Sequence, residues 1–136
     1  MISFSAKHEF SPQEQLLLEQ LSVLVARIPE EIASPIRCHE LVRAVGNLYQ
    51  MQVVDGHYNR TEHSWLYTRN KPRTAKNYIL DVYAVGRLPM VQLMDAYYYR
   101  DVYVESQARD DIDHNVVGQI LGCLTAWSHQ WKTLQV

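Results

Sequence analysis

The stretch MQVVDGHYNRTEHSWLYT, residues 51–68, decides the fold, because here the periodicity of the chain changes from helical to extended. Met51 to Tyr58 reads as a strand, with Asp55-Gly56 as a bend or bulge inside it. His63 to Thr68 reads as a second strand and Tyr78 to Tyr83 as a third. Between those two lies Arg69-Asn70-Lys71-Pro72-Arg73-Thr74-Ala75-Lys76, a basic run with turn chemistry that predicts a solvated hairpin loop.

Outward toward the N-terminus the pattern is helical. Ser11-Pro12-Gln13-Glu14 combines an N-cap, an N1 proline and a capping-box glutamate. Leu17, Leu21, Leu24, Val25 and Ile28 follow at helical spacing, and Pro29 is expected to end this first helix. Ser34-Pro35 starts a second helix whose stripe is Leu41, Val42, Val45, Leu48 and Tyr49, with Cys38 in or near its first turn. Outward toward the C-terminus, Val85 to Asp95 holds a turn at Gly86-Arg87-Leu88-Pro89 and a further strand. Tyr97 to Val104 reads as an aromatic strand with Tyr97, Tyr99, Asp101 and Tyr103 on one face. Ile112, Val116, Ile120, Leu124, Trp127 and Trp131 mark a last helix over about Asp111 to Trp131, with Cys123 in its apolar pattern. Gly118 and Gly122, one turn apart, invite close helix packing there. Helices, then strands, then a helix predict one α+β domain over residues 1–136.

Composition bounds the function. Hydrophobic residues make up 47% of the 136, enough for a packed core. A formal net charge of −2 favours neither a nucleic-acid nor a membrane partner. No apolar run approaches the roughly 20 residues that span a bilayer. Met1 to Phe10 holds Lys7, His8 and Glu9 and does not read as a signal peptide. With Cys38 and Cys123 as its only cysteines, the chain does not read as a disulfide scaffold, so both are expected as thiols in the cytoplasm.

Cys38, His63 and Asp81 are the candidate catalytic residues. A helix N-terminus favours a thiolate through its unpaired N–H groups and dipole, which suits Cys38 to a nucleophile. His63 opens one strand and Asp81 lies near the end of the next. If the hairpin pairs residues whose numbers sum to 144, the two face each other on one side of the sheet. The carboxylate would then orient the imidazole, as the third member of a triad does. His57 and Trp65 are candidate substrate-binding residues lining the same cleft, and His39 and His57 are alternative bases. His39 follows Cys38 on the helix, which predicts a side chain about 100° away.

Four segments carry a resemblance: Cys38-His39-Glu40-Leu41 opening an apolar helix, Val54-Asp55-Gly56-His57-Tyr58, Glu62-His63-Ser64-Trp65-Leu66, and Tyr78-Ile79-Leu80-Asp81-Val82-Tyr83. Together, over roughly residues 36–95, they resemble the transglutaminase-like branch of the papain-like superfamily. They are also similar to small bacterial or phage proteins with an HSWL…ILDVY pattern. The resemblance implies a papain-like core of helices packed on an antiparallel sheet. It implies Cys38 as nucleophile, His63 as general base then acid, and Asp81 as orienter. It further implies a peptide or protein substrate, attack on an amide carbonyl, a thioester intermediate and no cofactor. The Cys38 N–H supplies one oxyanion donor; Gln15, Gln20 and Trp65 are candidates for another. Two other readings stand beside this one. One is an inactive relative binding peptide or protein partners in the same cleft. The other is a zinc site built from Cys38, His57, His63 and Asp81, whose spacing matches no close-paired zinc signature.

Overall fold

The computed structural model describes residues 2–4, 12–32, 36–67, 78–82, 91–95 and 99–134. Along these run β1 (Ile2–Phe4), α1 (Pro12–Glu31), α2 (Cys38–Tyr49), β2 (Gln52–Tyr58), β3 (Thr61–Tyr67), β4 (Tyr78–Asp81), β5 (Val91–Asp95), β6 (Tyr103–Glu105) and α3 (His114–Leu134). The strands form one sheet in the order β1-β5-β4-β3-β2-β6. Neighbours from β5 to β6 are antiparallel, and β1 joins β5 in parallel. The class is α+β, as the order of periodicities predicts.

The sheet has two apolar faces. On one, Leu66 and Leu80 join Leu21, Leu24, Val25, Ile28, Leu41, Val42, Val45, Val116, Ile120 and Leu124 in a core shared with the three helices. On the other, Val54, Trp65, Ile79 and Tyr103 form a second cluster, with Tyr58, Tyr67, Tyr99 and Val102 around it. Strand alternation follows directly: Ser64 and Leu66 look toward the helices, and His63 and Trp65 look away. No helix among the described residues is long and apolar enough to cross a membrane.

Several local expectations need correction. Pro29 lies inside α1, which runs on to Glu31. A proline in the last turn forfeits one backbone bond, and Ile28 and Ile32, both buried and joined by Ile32 N–H to Ile28 carbonyl, still close that turn. Asp55-Gly56 makes no bulge, since Asp55 pairs with Ser64 and Gly56 with His63 one to one. Gly56 serves close approach instead: a Cβ there would lie 2.1 Å from the Val104 carbonyl and 2.7 Å from the Trp65 ring. Of the strand expected over 97–104, Tyr97 and Tyr98 lie outside the described residues, Tyr99 to Val102 form a turn, and β6 starts at Tyr103. α3 starts at His114 because Asp113 caps it, its carboxylate accepting the N–H groups of Asn115 and Val116. Among the described residues, Gly118 and Gly122 have nothing within 4 Å of where a Cβ would be, so they make no close helix contact there. Cys123 is only partly buried at the rim of the core. Ser11, Ser34-Pro35, the basic loop 69–76 and the turn at 86–89 lie outside the described residues.

Candidate active site

Cys38 is the first residue of α2, placed there by Arg37, whose backbone is extended at φ −95° and ψ 156°. Arg37 offers no side-chain cap; its guanidinium pairs with Glu40 on one side and Asp111 on the other. The first intrahelical bond runs from Leu41 N–H to the Arg37 carbonyl, so the N–H groups of Cys38 to Glu40 precede the ladder. α2 sits close over β3 because Gly46 leaves room: a Cβ there would meet Val53 at 2.9 Å and Leu66 at 3.0 Å.

His63 and Asp81 meet, though not by the expected register. The pairs Leu66↔Leu80 and Tyr67↔Ile79 fix sums of 146, two more than supposed. A slip of two keeps every side chain on its face, so Asp81 becomes the diagonal neighbour of His63. His63 Nε2 donates to Asp81 Oδ2 at 2.7 Å. The same oxygen accepts the Tyr103 hydroxyl at 2.7 Å. Asp81 has no exposed surface at all.

The remaining nitrogen of His63, Nδ1, is the one left for Cys38. Burial pushes the Cys38 thiol up. Hydrogen bonds from His39 and His63, with their charge, more than offset this and bring it down to about 6. Burial likewise disfavours a charged His63, but Asp81 and Cys38 hold its imidazolium up to about 10. The balance favours thiolate and imidazolium over the neutral pair. Burial, then Asp81, holds the Tyr103 phenol well above its ordinary range, so it stays a donor.

His39 is not turned away as its helical position predicts. It is buried, with Nδ1 3.6 Å from Cys38 Sγ and 2.6 Å from Ser64 Oγ. Consecutive residues thus engage opposite faces of β3: His39 takes Ser64 on the helix side, and Cys38 takes His63 on the other. β2 pairs with β3 along its whole length, while β4 pairs, among the described residues, only at Leu66 and Tyr67.

Behind Ser64 stands a buried ion pair. Ser64 Oγ donates to Asp55 Oδ1 at 2.6 Å. Arg43 grips both Asp55 oxygens, at 3.1 and 2.6 Å, and the Arg109 N–H donates to Oδ2 at 3.0 Å. Burial opposes the Asp55 charge, but Arg43, Ser64 and the Arg109 amide hold the carboxyl below its usual range. Arg109 also pairs with Glu62 and Asp111, which straps the segment before α3 across β3 and the start of α2.

Cys38, His63 and Asp81 are therefore together. Trp65 lies next to them but is wholly buried, stacked at 6.4 Å on His63 and edge-on to Tyr103, and its Nε1 has no hydrogen-bond partner among the described residues. His57 is elsewhere: it pairs with Glu62 on the opposite face of the hairpin from His63 and lines an open hollow with Asn59, Arg60, Asp101, Val102 and Val104. The four-ligand zinc set is not assembled, and no group of three or more His, Cys, Asp or Glu among the described residues has metal-binding geometry. Gln20 donates to Ser128 between α1 and α3, and the Gln15 side chain lies outside the described residues. His39 was visible as a neighbour of Cys38 in the sequence; Tyr103, Ser64, Asp55 and Arg43 became legible only with the strand registers. No family model, curated protein or solved structure matches the chain.

Proposed function

We infer that the chain is a cysteine-dependent enzyme acting on amide bonds of a peptide or protein: a peptidase, an amidase or deamidase, or an acyl transferase. One observation carries this reading. His63 stands between a fully buried carboxylate and a thiol, with Nε2 committed to Asp81 and Cys38 interacting with the same ring. Cysteine at a helix start, then histidine and aspartate on successive antiparallel strands, supports a papain-like core of the transglutaminase-like branch.

The chemistry follows from the charges. The Cys38 thiolate attacks the carbonyl carbon, and the developing oxyanion is met by the Cys38 N–H. His63 gives its Nδ1 proton to the departing nitrogen as the C–N bond breaks, leaving an acyl thioester on Sγ. Neutral His63 then takes a proton from water or an acceptor amine as that nucleophile attacks the thioester. The C–S bond breaks, Cys38 returns as thiolate and His63 as imidazolium. Asp81 keeps the ring in one orientation throughout.

The test is turnover of a panel of peptides and carboxamides, with mass spectrometry of the protein to trap the acyl adduct on Cys38. Activity should rise as pH passes about 6, where the thiolate forms, and fall above about 10, where His63 loses its proton. Full activity of Cys38→Ala refutes the reading. A Cys38 of ordinary reactivity and no turnover would point instead to a domain that holds peptides in the same cleft without cleaving them.

A further inference from the structure

His63 sits among three aromatic rings, and the strand registers put them there. Tyr58 pairs directly with Tyr103, and Gly56 pairs directly with His63. Residues two apart on a strand share a face, so Tyr58, His63, Trp65 and Tyr103 all look away from the helices. Gly56 has no side chain to fill the place opposite His63, and the Trp65 ring lies over that gap, 2.7 Å from where a Cβ would be. The imidazole is near-parallel to Trp65, at 23° and 6.4 Å, and tilted to Tyr58 at 5.8 Å and to Tyr103 at 6.2 Å. The rings also meet one another, Tyr103 edge-on to Trp65 at 5.1 Å and to Tyr58 at 4.9 Å. Only 12% of the His63 side chain is exposed.

Packing alone does not account for an indole at this place. Its N–H is wholly buried with no acceptor among the described residues, which opposes folding. Leucine or phenylalanine fills a core without that orphan group. What indole has over them is the strongest π face for a cation. We propose that Tyr58, Trp65 and Tyr103 form an aromatic box around His63 that keeps water off the ring while turning π faces to its imidazolium, with Trp65 as the positioning residue that supplies the principal face. This rests on His63 serving Cys38 as the preceding section proposes. One such contact at about 6 Å is weak, but three act on one enclosed cation. An aliphatic wall would exclude water and oppose the charge outright; aromatic faces exclude water and offset part of that opposition. Burial therefore disfavours the imidazolium less here than aliphatic burial would, and the thiolate–imidazolium pair persists in a site largely closed to water. The titratable groups about His63 are Cys38 and then His39 from α2, Asp81 from β4, and the phenols of Tyr58 and Tyr103 from β2 and β6, with Tyr99 behind Tyr103.

The experiment follows His63 by histidine-selective nitrogen NMR from about pH 5 to about pH 11, in Cys38→Ala protein, so that the imidazole titrates apart from the thiol. Trp65→Leu should lower the His63 midpoint by about one pH unit, and Trp65→Phe by about half as much. Tyr58→Leu, at the rim of the cluster, should lower it by about half a unit, and Tyr58→Phe should leave it within about 0.2. Protein carrying 5-fluorotryptophan throughout keeps its shape but has a weaker indole face, and its His63 midpoint should fall by about 0.3, which decides the matter even if Trp65→Leu does not fold. Trp127 lies against Arg27, so the change read at His63 is that of Trp65. If the rings only exclude water, opening the wall admits it and the midpoint rises in Trp65→Leu. Such a rise, or a midpoint indifferent to fluorine, overturns the proposal. So does Trp65→Phe lowered as far as Trp65→Leu. Each of these leaves the thiol-enzyme reading intact. A Cys38 midpoint near the ordinary ~8.5 in the unsubstituted protein would overturn that reading and the role of His63 with it.

Discussion

Asp81→Asn separates charge from shape at the site. The amide is the same size as the carboxylate, and its oxygen can still accept from His63 Nε2 and Tyr103, both of which bond Oδ2 now. Only the negative charge goes, from a residue with no exposed surface. Burial opposes a charged His63; Asp81 is the larger of its two supports, Cys38 the smaller, and together they raise the imidazolium from 6.5 to about 10. Losing Asp81 leaves burial opposed by Cys38 alone, so His63 falls back toward neutrality and no longer stabilises the thiolate. If the Cys38 midpoint then rises from about 6 to about 8, the thiolate fraction near pH 7 drops about tenfold. The assay is the pH dependence of iodoacetamide labelling, read on the peptide that contains Cys38. The variant should label about tenfold slower near pH 5, and about six- to tenfold faster above about pH 9.5, where both thiols are ionised and the more basic thiolate is the stronger nucleophile. The sign is fixed: a group brought down in the folded protein loses its advantage as pH rises past its ordinary value. Equal labelling of the two proteins across the whole range would refute the coupling of Asp81 to Cys38 through His63.

Tyr103→Phe removes one donor from Asp81 but keeps the ring against Trp65; stability to urea should fall by about 1.5 kcal/mol while Cys38 labelling near pH 7 does not slow, because His63 then has the shared oxygen to itself. Arg43→Met strands the buried Asp55 carboxylate and should cost about 3 kcal/mol near neutral pH. Since Asp55 is held below its usual range, its pairing is lost as pH falls, so the gap between variant and wild type in denaturation should narrow in acid. Gly56→Ala drives a Cβ into the Val104 carbonyl and should destabilise by at least about 2 kcal/mol. Gly118→Ala, on an exposed helix face with nothing nearby, should stabilise by up to about 1 kcal/mol, and a calorimetric comparison of the two checks the contrast.

What the sequence makes legible here is face and order, and what it hides is register. Alternation along His63-Ser64-Trp65-Leu66 assigns sides to each residue, and the meeting of His63 with Asp81 survives a register two residues from the one supposed, because the strand repeat is two. Nothing in the loop after β3 sets that register. The same ignorance hides Tyr103: its position opposite Tyr58 depends on a strand of three residues that follows a turn, while the run of tyrosines reads as continuous strand. β1 went unread for a related reason, since three residues give no periodicity to measure. His39 fails differently. Helical geometry predicts a separation from Cys38 in angle, yet both side chains reach β3, His39 at Ser64 and Cys38 at His63.

The order in which the site's parts occur along the chain has a consequence for the protein at birth. Cys38, His63 and Asp81 are all translated before Tyr103, which completes the cradle of Asp81, and before Arg109, whose amide completes that of Asp55. A ribosome-bound chain that has emerged only as far as β4 carries Cys38, His63 and Asp81, but neither of those supports. Each of the two buried carboxylates then lacks one of its donors. Those donors come with the segment before α3, which is tied to the start of α2 through Arg37 and Asp111. The site is thus braced by residues that follow Cys38, His63 and Asp81 in the chain.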